Sequence, residues 1–572
     1  MGDSAIGERF PAWTRGNAAD VFPEPFSPLG QTTVLHEGMC TGLRDAYIDI
    51  GVLDYDEFEE PRRPDLFKMF GGYLYNPLTL TRILGARMPG VTPELIDAAF
   101  FDERDEVPAY QAQDWHVSDK HEALLGEKMG WAMSTQELPA LLADRELVAT
   151  CRQSRPDLSA ATESALIARA RAMIPFVQQT FENAMIVSSL SSLGPGALGA
   201  ICEAVGRPED AITLLAGIEV DSAAPSHAMW ELGRLANSSD AVSAAFEAGP
   251  GGVLDQLTAS DAPEAAEFVT QFEQFLFDHG SRGQNEYDPR AASWEARPDI
   301  ALAAIDLMRR SADDHAPNVR AAQAAERRDH AAAEIREMVA GDPEAAGTFE
   351  AALGSAQMFL AGRERAKTNV VRVINEMGMA FRELGQRYVD KGMVDDVEQF
   401  FMLTNDELDL LPEQADELKP VIAERWAAYQ GLFDLEPVFV VNGTPPALND
   451  MVRRDAKQVA VAAVGDVLAG AAGSGGSATG RARVILDAAN PTALEPGDIL
   501  IAPQTDPSWV PLFVPAAAVV VNVGAMGSHA MIVSRELGIP CVASVADATS
   551  VIPDGAMITV DGTTGTVTID SL

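Results

Sequence analysis

Near residue 465 the hydrophobic pattern of this 572-residue chain changes period, so its two parts cannot be built from the same kind of element. From about residue 93 to 435 apolar residues recur at helical spacing. "DLSAATESALIARARAMIPFVQQTFENAMIVSSL" keeps that spacing throughout, and "EAAGTFEAALGSAQMFLAGRERAKTNVVRVINEMGMAFRELGQRYVDKG" is a second long helical stretch. Beyond the change, "ARVILD", "DILIAPQT", "AAVVVNV", "PCVASV", "MITVDG" and "GTVTID" are short Val/Ile/Thr runs bounded by Gly, Asp and Pro, which read as strands. One helix interrupts them around residues 528–537. Between the two textures lies "GDVLAGAAGSGGSATG", with the composition of a flexible coil. The pattern predicts a multidomain chain: a large, mainly α-helical body over 1–464, a Gly/Ser/Ala hinge linker over 465–479, and a compact β-rich α/β domain over 480–572. Residues 1–80, with three prolines in "RGNAADVFPEPFSPLGQTT", are expected to be ordered but irregular.

Charge narrows the partners. Asp and Glu number 85 against 42 Lys and Arg, a formal net charge of −43. Such a surface repels phosphate backbones and anionic bilayers, which argues against nucleic acid and membrane as partners. The four cysteines, Cys40, Cys151, Cys202 and Cys541, show no C-x-x-C spacing, so neither a zinc site nor a redox dithiol is signalled. Free thiols suit a reducing compartment. The start "MGDSAIGERF" has no apolar signal region, and the most apolar run, "PLFVPAAAVVVNVGAM", is too short to span a bilayer. The expected location is cytoplasmic. His116 and His121 lack metal spacing on one helix face, and no metal site is expected.

The tetrapeptide SHAM occurs twice, at His227 and at His529. His529 follows "AAVVVNVGAMG", a buried strand and a glycine-bearing turn, and opens the helix "SHAMIVSREL", which Gly538 and Pro540 end. The first turn of a helix gathers unpaired N–H groups and the positive end of the dipole, a setting that stabilises an anion. An imidazole there keeps a lone pair for attack, and a phosphoryl group on it would lie where amides already point. His227 follows Pro225 and Ser226, with Ser226 the expected N-cap, and no strand or glycine turn precedes it. A structural or pocket-lining role is expected for it.

The segment "GAMGSHAMIVSRELGIPCV" resembles the mobile phosphohistidine domain of the phosphoenolpyruvate-utilising enzymes. Gly524, Gly527, His529, Ala530, Arg535, Glu536, Gly538 and Pro540 occupy the motif positions, with Ser528 where relatives often carry Thr or Cys. Upstream, Thr505, Trp509 and Pro511 in "PGDILIAPQTDPSWVPLF" match the same family's strand, Thr and Trp-x-Pro pattern. The resemblance implies a β/β/α swivelling domain with His529 as the phosphoryl carrier, supported by Thr505, Gly524, Gly527, Ser528 and Arg535. "WTRGNAADVFPEPFSPL", "DHGSRGQNEYDPRAASWEARPD" and "GRERAKTNVVRVINEMGMAFRELGQRYVDKG" are similar to stretches of the substrate-binding domain shared by rifampin phosphotransferase and the large subunit of phenylphosphate synthase. No ATP-grasp domain and no phosphoenolpyruvate barrel is recognised in the chain. The resemblance therefore implies that a separate ATP-grasp subunit, holding ATP and Mg²⁺, loads the histidine, and that this chain binds no cofactor tightly.

Delivery to a hydroxyl needs cations on the moving phosphoryl group and a group to take the proton. Arg363, Glu364 and Lys367 fall at i, i+1 and i+4, which puts Arg363 and Lys367 on one helix face. From the spacing alone a solvated charged face beside Arg365 and Arg372 is the preferred reading; the resemblance implies the acceptor-site helix. "DHGSRGQNEYD" places His279, Arg282, Glu286 and Asp288 together, with His279 a candidate base and Arg282 a candidate phosphate ligand, or else a helix end pairing with Glu286. Asn17, Glu24, Glu286, Asp288 and His227 are candidate acceptor-binding residues. The function so implied is a dikinase-type phosphotransferase component acting on a phenol or alcohol. Two readings stand beside it: the same phosphoryl intermediate used for net dehydration or condensation, and a non-enzymatic phosphohistidine carrier or regulator.

Overall fold

Many of the long helices, among them Ala224–Asn237, Pro263–His279, Pro298–Arg309 and Pro317–Val339, begin with proline in the first turn. Proline lacks an N–H that this position would leave unbonded, and its fixed φ suits the helix. The computed structural model describes residues 4–101, 107–454, 459–488, 490, 494–524 and 528–572. It divides into two compact units, one of Met1–Ser191, Asn285–Ala291 and Arg365–Gln458, the other of Ser192–Gln284, Ala292–Glu364 and Val459–Leu572. The 48-residue helix Pro343–Asp390 contributes its residues through Glu364 to the second unit and the rest to the first. Residues 1–464, expected as a single body, are thus divided in sequence between the two units.

In the first unit, Ala12–Thr14 pairs antiparallel with Val440–Asn442, and Lys68–Phe70 with Tyr73–Tyr75. Within residues 1–80, expected to be irregular, one continuous stretch is helical: the short turn Pro28–Gly30, a nine-residue π-helix Gln31–Met39 and the α-helix Cys40–Asp49 run on from one another. Its helical period is hidden because small residues stand where the partner helix Ile174–Leu190 comes close. A Cβ on Gly42 would lie 2.6 Å from Gln178 O and 3.0 Å from Glu182 N. Glycine at that contact reads as a loop and acts as a packing surface.

In the second unit the C-terminal residues form one eight-stranded sheet. Its strands are β1 (Val467–Ala469), β2 (Ala471–Ser474), β3 (Ser477–Val484), β4 (Ile499–Ala502), β5 (Ala518–Val521), β6 (Cys541–Ala543), β7 (Met557–Asp561) and β8 (Thr566–Ser571), in the order β1-β8-β7-β3-β4-β5-β6-β2. β3, β4, β5 and β6 run parallel as neighbours, and the outer pairings are antiparallel. One face, with Ile499, Ile501, Val520, Val542, Ile558 and Val567, closes on itself as an apolar core. The other, with Leu500, Val519 and Val521, joins a cluster that holds Met531 and Val533 and reaches Trp230, Phe272 and Leu302 of the helices in the same unit.

The expected hinge over 465–479 is corrected: most of it is β1, β2 and the start of β3, inside the sheet. Its small residues serve close approach rather than flexibility. A Cβ on Gly470 would run into the carbonyl oxygen of Ala543 and lie 2.8 Å from both Val542 Cγ1 and Val545 Cγ2. Gly475, in the β2–β3 connection, would meet only Thr563 Oγ1, at 3.6 Å. Gly470→Ala is therefore expected to lower stability by about 1–3 kcal/mol through overpacking, and Gly475→Ala to be near neutral, as read by urea unfolding.

Candidate active site

The parallel strands β4 and β5 lie in register, Leu500 opposite Val519 and Ala502 opposite Val521. The loop after β4 carries Thr505, and the connection after β5 leads to the helix His529–Leu537. Loops leaving the carboxyl ends of adjacent parallel strands converge, which is where open α/β sheets build their sites. Here they bring Thr505 Oγ1 to 3.1 Å from His529 Nδ1, across 24 residues of chain. The Phe513 ring stands edge-on to the imidazole, centroids 6.1 Å apart.

His529 is the first helical residue and is 9 % exposed. The first backbone bond of the helix runs from Ile532 N–H to the Ser528 carbonyl, 3.0 Å, so the amides before it point out of the helix end. Ser528 is the N-cap, with φ −69° and ψ 157°, and its side chain makes no capping bond. Its buried Oγ has no hydrogen-bond partner among the described residues. Ser544 Oγ donates to the Gly524 carbonyl at 3.0 Å. Gly538 ends the helix in the left-handed conformation, φ 63°, as its sequence position implied. Gly527 lies outside the described residues.

Arg535 is buried and its Nε donates to the Gly473 carbonyl at 2.7 Å, tying the helix to β2. Burial, reinforced by the nearby Arg363 guanidinium, lowers its pKa to about 10. Glu536 is buried, and burial first, then the Glu364 and Glu219 carboxylates, raise its pKa well above the ordinary value. Neither this placement of Glu536 nor the edge-on Phe513 was readable from sequence, where both stood only as motif or apolar residues.

The remaining expected residues separate by unit. In the second, Arg363 is half-buried and Glu364 buried on the same long helix. His279 is the last residue of Pro263–His279, against the Phe275 ring at 5.5 Å. Arg282 is buried, and its backbone carbonyl accepts from Trp294 N at 2.7 Å. His227 is the fourth residue of its helix and half-buried, and burial lowers its pKa against the opposing Glu219 and Glu231. Ser226 is not the N-cap. The helix starts at Ala224, because Pro225 fits the first turn, and Ser226 is buried inside it.

In the first unit, Lys367 Nζ lies 3.5 Å from Glu286 Oε1. Asp288 is engaged internally, since its carboxylate accepts from Ser27 N at 2.8 Å, Ser27 Oγ at 2.6 Å and Arg290 N at 3.0 Å. Glu24 pairs with Arg290 at 2.8 Å, and Arg290 also holds Glu398 at 2.9 Å. Burial raises the Glu24 pKa against that pairing. Both carboxylates thus brace the 22–30 segment. Asn17 is exposed, with φ 60°. Among the described residues one group could converge on a cation, Asp54, Glu57 and His121, whose donor atoms lie within 4.8 Å of one another. Arg87 at 2.7 Å from Glu57 and Lys120 at 2.6 Å from Asp54 already satisfy the carboxylates, and His121 Nδ1 meets the Gly51 carbonyl at 2.8 Å. The four cysteines are buried free thiols; burial pushes Cys40 up to about 12 and Cys541 up to about 11, so both are neutral and unreactive.

Comparison with known proteins gives the site a class. Residues 494–565 match the PEP-utilising enzyme mobile domain, and residues 181–364 match the rifampicin phosphotransferase fourth domain. The second match ends at Glu364, where the structure also passes from one unit to the other. The chain therefore carries these two domains, and it is homologous to rifampicin phosphotransferases and to uncharacterized mycobacterial proteins. It is 30 % identical over 324 residues to the rifampicin phosphotransferase of Streptomyces sviceus, covering 55 % of this chain and 36 % of that one. With an uncharacterized protein of Mycobacterium tuberculosis it shares 26 % over 598 aligned residues, all of this chain and 63 % of the relative. With an uncharacterized phosphotransferase of Bacillus subtilis it shares 31 % over 202 residues, 33 % of this chain and 23 % of that one. The chain thus spans less than two thirds of the length of these relatives.

Asp288→Ala removes three bonds to one buried carboxylate and is expected to lower stability by about 2–4 kcal/mol, measured by denaturant unfolding.

Proposed function

We propose that this chain carries a phosphoryl group on Nε2 of His529 and passes it to the hydroxyl of a small organic acceptor, a phenol or an alcohol. The observation that carries this reading is the Thr505 Oγ1 to His529 Nδ1 contact at the head of a helix in the segment that matches the mobile domain. A neutral imidazole attacks through the nitrogen that lacks a proton. With Nδ1–H donating to Thr505 Oγ1, that nitrogen is Nε2.

In the first step Nε2 forms the N–P bond as the donor's P–O bond breaks. The amides of the first helical turn and the Ser528 hydroxyl then face the phosphoryl oxygens. In the second, the acceptor oxygen forms the O–P bond, the N–P bond breaks and its electron pair returns to Nε2. His279 is proposed to take the hydroxyl proton, since an imidazole titrates near neutrality. Arg363, in the same unit as His279, is proposed to hold the phosphoryl oxygens during transfer. The donor is proposed to be ATP, with Mg²⁺, bound by an ATP-grasp partner subunit. What the reading rests on there is the resemblance to phosphotransferases that load their histidine in this way.

Incubation with labelled ATP, Mg²⁺ and an ATP-grasp partner is expected to give acid-labile label on the unmodified chain and none on His529→Ala. Label on both would overturn the assignment. Thr505→Val is expected to slow labelling by about tenfold or more by loosening the imidazole. Arg363→Ala should label normally but pass the group on about 10²–10³-fold more slowly.

A further inference from the structure

One face of the helix Pro317–Val339 carries Arg320, Ala324 and Arg327, at i, i+4 and i+7. Within the second unit that face meets the C-terminal sheet domain at two helix ends. Arg320 Nη1 donates to the Val514 carbonyl at 2.9 Å. Val514 is the C-cap of the short helix Val510–Phe513. Two turns further on, Arg327 lies against Gly538, which ends the His529–Leu537 helix. A Cβ on Gly538 would run into Arg327 Nη2 and lie 3.7 Å from Ala324 Cβ. The glycine, at φ 63°, thus serves both the helix stop and the close approach of the other helix. Ala324 is fully buried.

The same helix is fastened to the helical residues of its unit by the next arginine. Arg328 Nη1 donates to the carbonyls of Gly217 at 2.6 Å and Ala216 at 3.3 Å. A Cβ on Gly217, at φ 59°, would run into the backbone N of Ala325. Pro317–Val339 therefore joins the helical residues to the sheet domain through main chain on both sides. Apolar burial adds to this, since Trp509, Val510 and Phe513 share a buried cluster with Trp230 and Leu302. That attraction is strong and has no direction. The arginines supply direction, because each addresses one point of the sheet domain. A guanidinium on a carbonyl is a charge-assisted hydrogen bond, and the last turn of a helix is the negative end of its dipole. Arg327 is exposed, so its share is the smaller one and is screened by salt.

We infer that Arg320 and Arg327 are positioning residues that hold the sheet domain, and with it His529, in its seated position by the ends of two of its helices, and that release of the domain breaks these two contacts. This rests on the reading of the C-terminal domain as one that moves between sites, in a segment that matches the mobile domain. Both contacts are made to main chain, a carbonyl and a helix end. They orient the domain without the cost of parting a buried ion pair each time it leaves. His529 opens the helix whose other end Arg327 touches, so the seat fixes the axis along which the imidazole is presented.

Trapping by N-ethylmaleimide of the thiol introduced by Ala324→Cys tests this, with each peptide read by mass spectrometry. Position 324 is buried beside Gly538 while the domain is seated and is uncovered when it leaves. The trapping rate therefore follows the released fraction even where that fraction is small. The native thiols are buried, and Cys202, among the helical residues, reports general loosening. In that background Arg320→Ser is expected to speed trapping at position 324 about tenfold, through loss of a hydrogen bond from a charged donor. Arg327→Ser is expected to speed it about two- to fivefold at low salt and not at ~1 M salt. Arg327→Lys keeps the charge and should leave the rate unchanged. An Arg320→Ser rate equal to the parent's overturns the inference. So does a Cys202 rate that rises in step, because the arginine would then support the fold and not the seat, and so does no trapping at position 324 in any variant. If Ala324→Cys does not fold, spin labels on Glu337→Cys and Leu486→Cys, both exposed, read the same comparison as a distance. A seated share that Arg320→Ser leaves unchanged then overturns it. The measurement needs neither ATP nor acceptor, so its failure is separable from a failure of His529 to take label.

Discussion

The pairing of β4 with β5 is the constraint on which the site depends. Ile499, Leu500, Ile501 and Ala502 stand opposite Ala518, Val519, Val520 and Val521, and both strands are buried on both faces. Alternate residues enter different cores. Ile501 and Val520 belong to the closed face of the sheet, Leu500 and Val519 to the face that packs on helices. A slip of one residue would exchange the two sets, which is why the register is strongly specified. With the register set, the loops that leave β4 and β5 on the same side have little freedom in where they begin. Thr505 and His529 meet because of that and not because either seeks the other.

Charge is spent unevenly in this acidic chain. Several of its few cations are buried as holders of shape. Arg290 joins Glu24 and Glu398, and Arg87 joins Glu57 while also donating to the carbonyls of Val52, Trp115 and His116. Arg155 and Arg169 lie 2.6 and 3.2 Å from the buried Glu376, with Arg152 at 3.6 Å. Breaking a buried pair leaves an uncompensated charge, so such groups define which helix ends meet more than they add net stability. Around the His529–Leu537 helix, Arg535 donates to the Gly473 carbonyl, and Ala530, Met531, Val533 and Leu537 enter the apolar cluster.

How much was legible varied with the range of the interactions. His529, its helix, the αL glycine at 538 and the strands around it could be read because each depends on neighbours a few residues away: a buried run, a turn, a cap, a stop. The hinge was misread for the opposite reason. Gly470 is small because Ala543 passes close to it, and that contact lies far away in sequence. Gly42 reads as part of a loop until the helix Ile174–Leu190 is laid beside it. Asp288 and Glu24 look like available carboxylates in a polar segment, and Ser27 and Arg290 then claim them through contacts made only in the folded chain.

Local sequence by itself determined the class of element at most points, the change from helical to strand period, and the one histidine set at a helix start after a strand and glycines. Those follow from backbone preference and short-range periodicity, which act within a turn or a strand. Only the tertiary structure decided that most of residues 192–364 fold with the C-terminal sheet, that Thr505 engages Nδ1, and that Glu536 is buried. Burial is a property of what surrounds a group in space. A carboxyl in "SREL" carries no mark of its enclosure until the chain has closed around it.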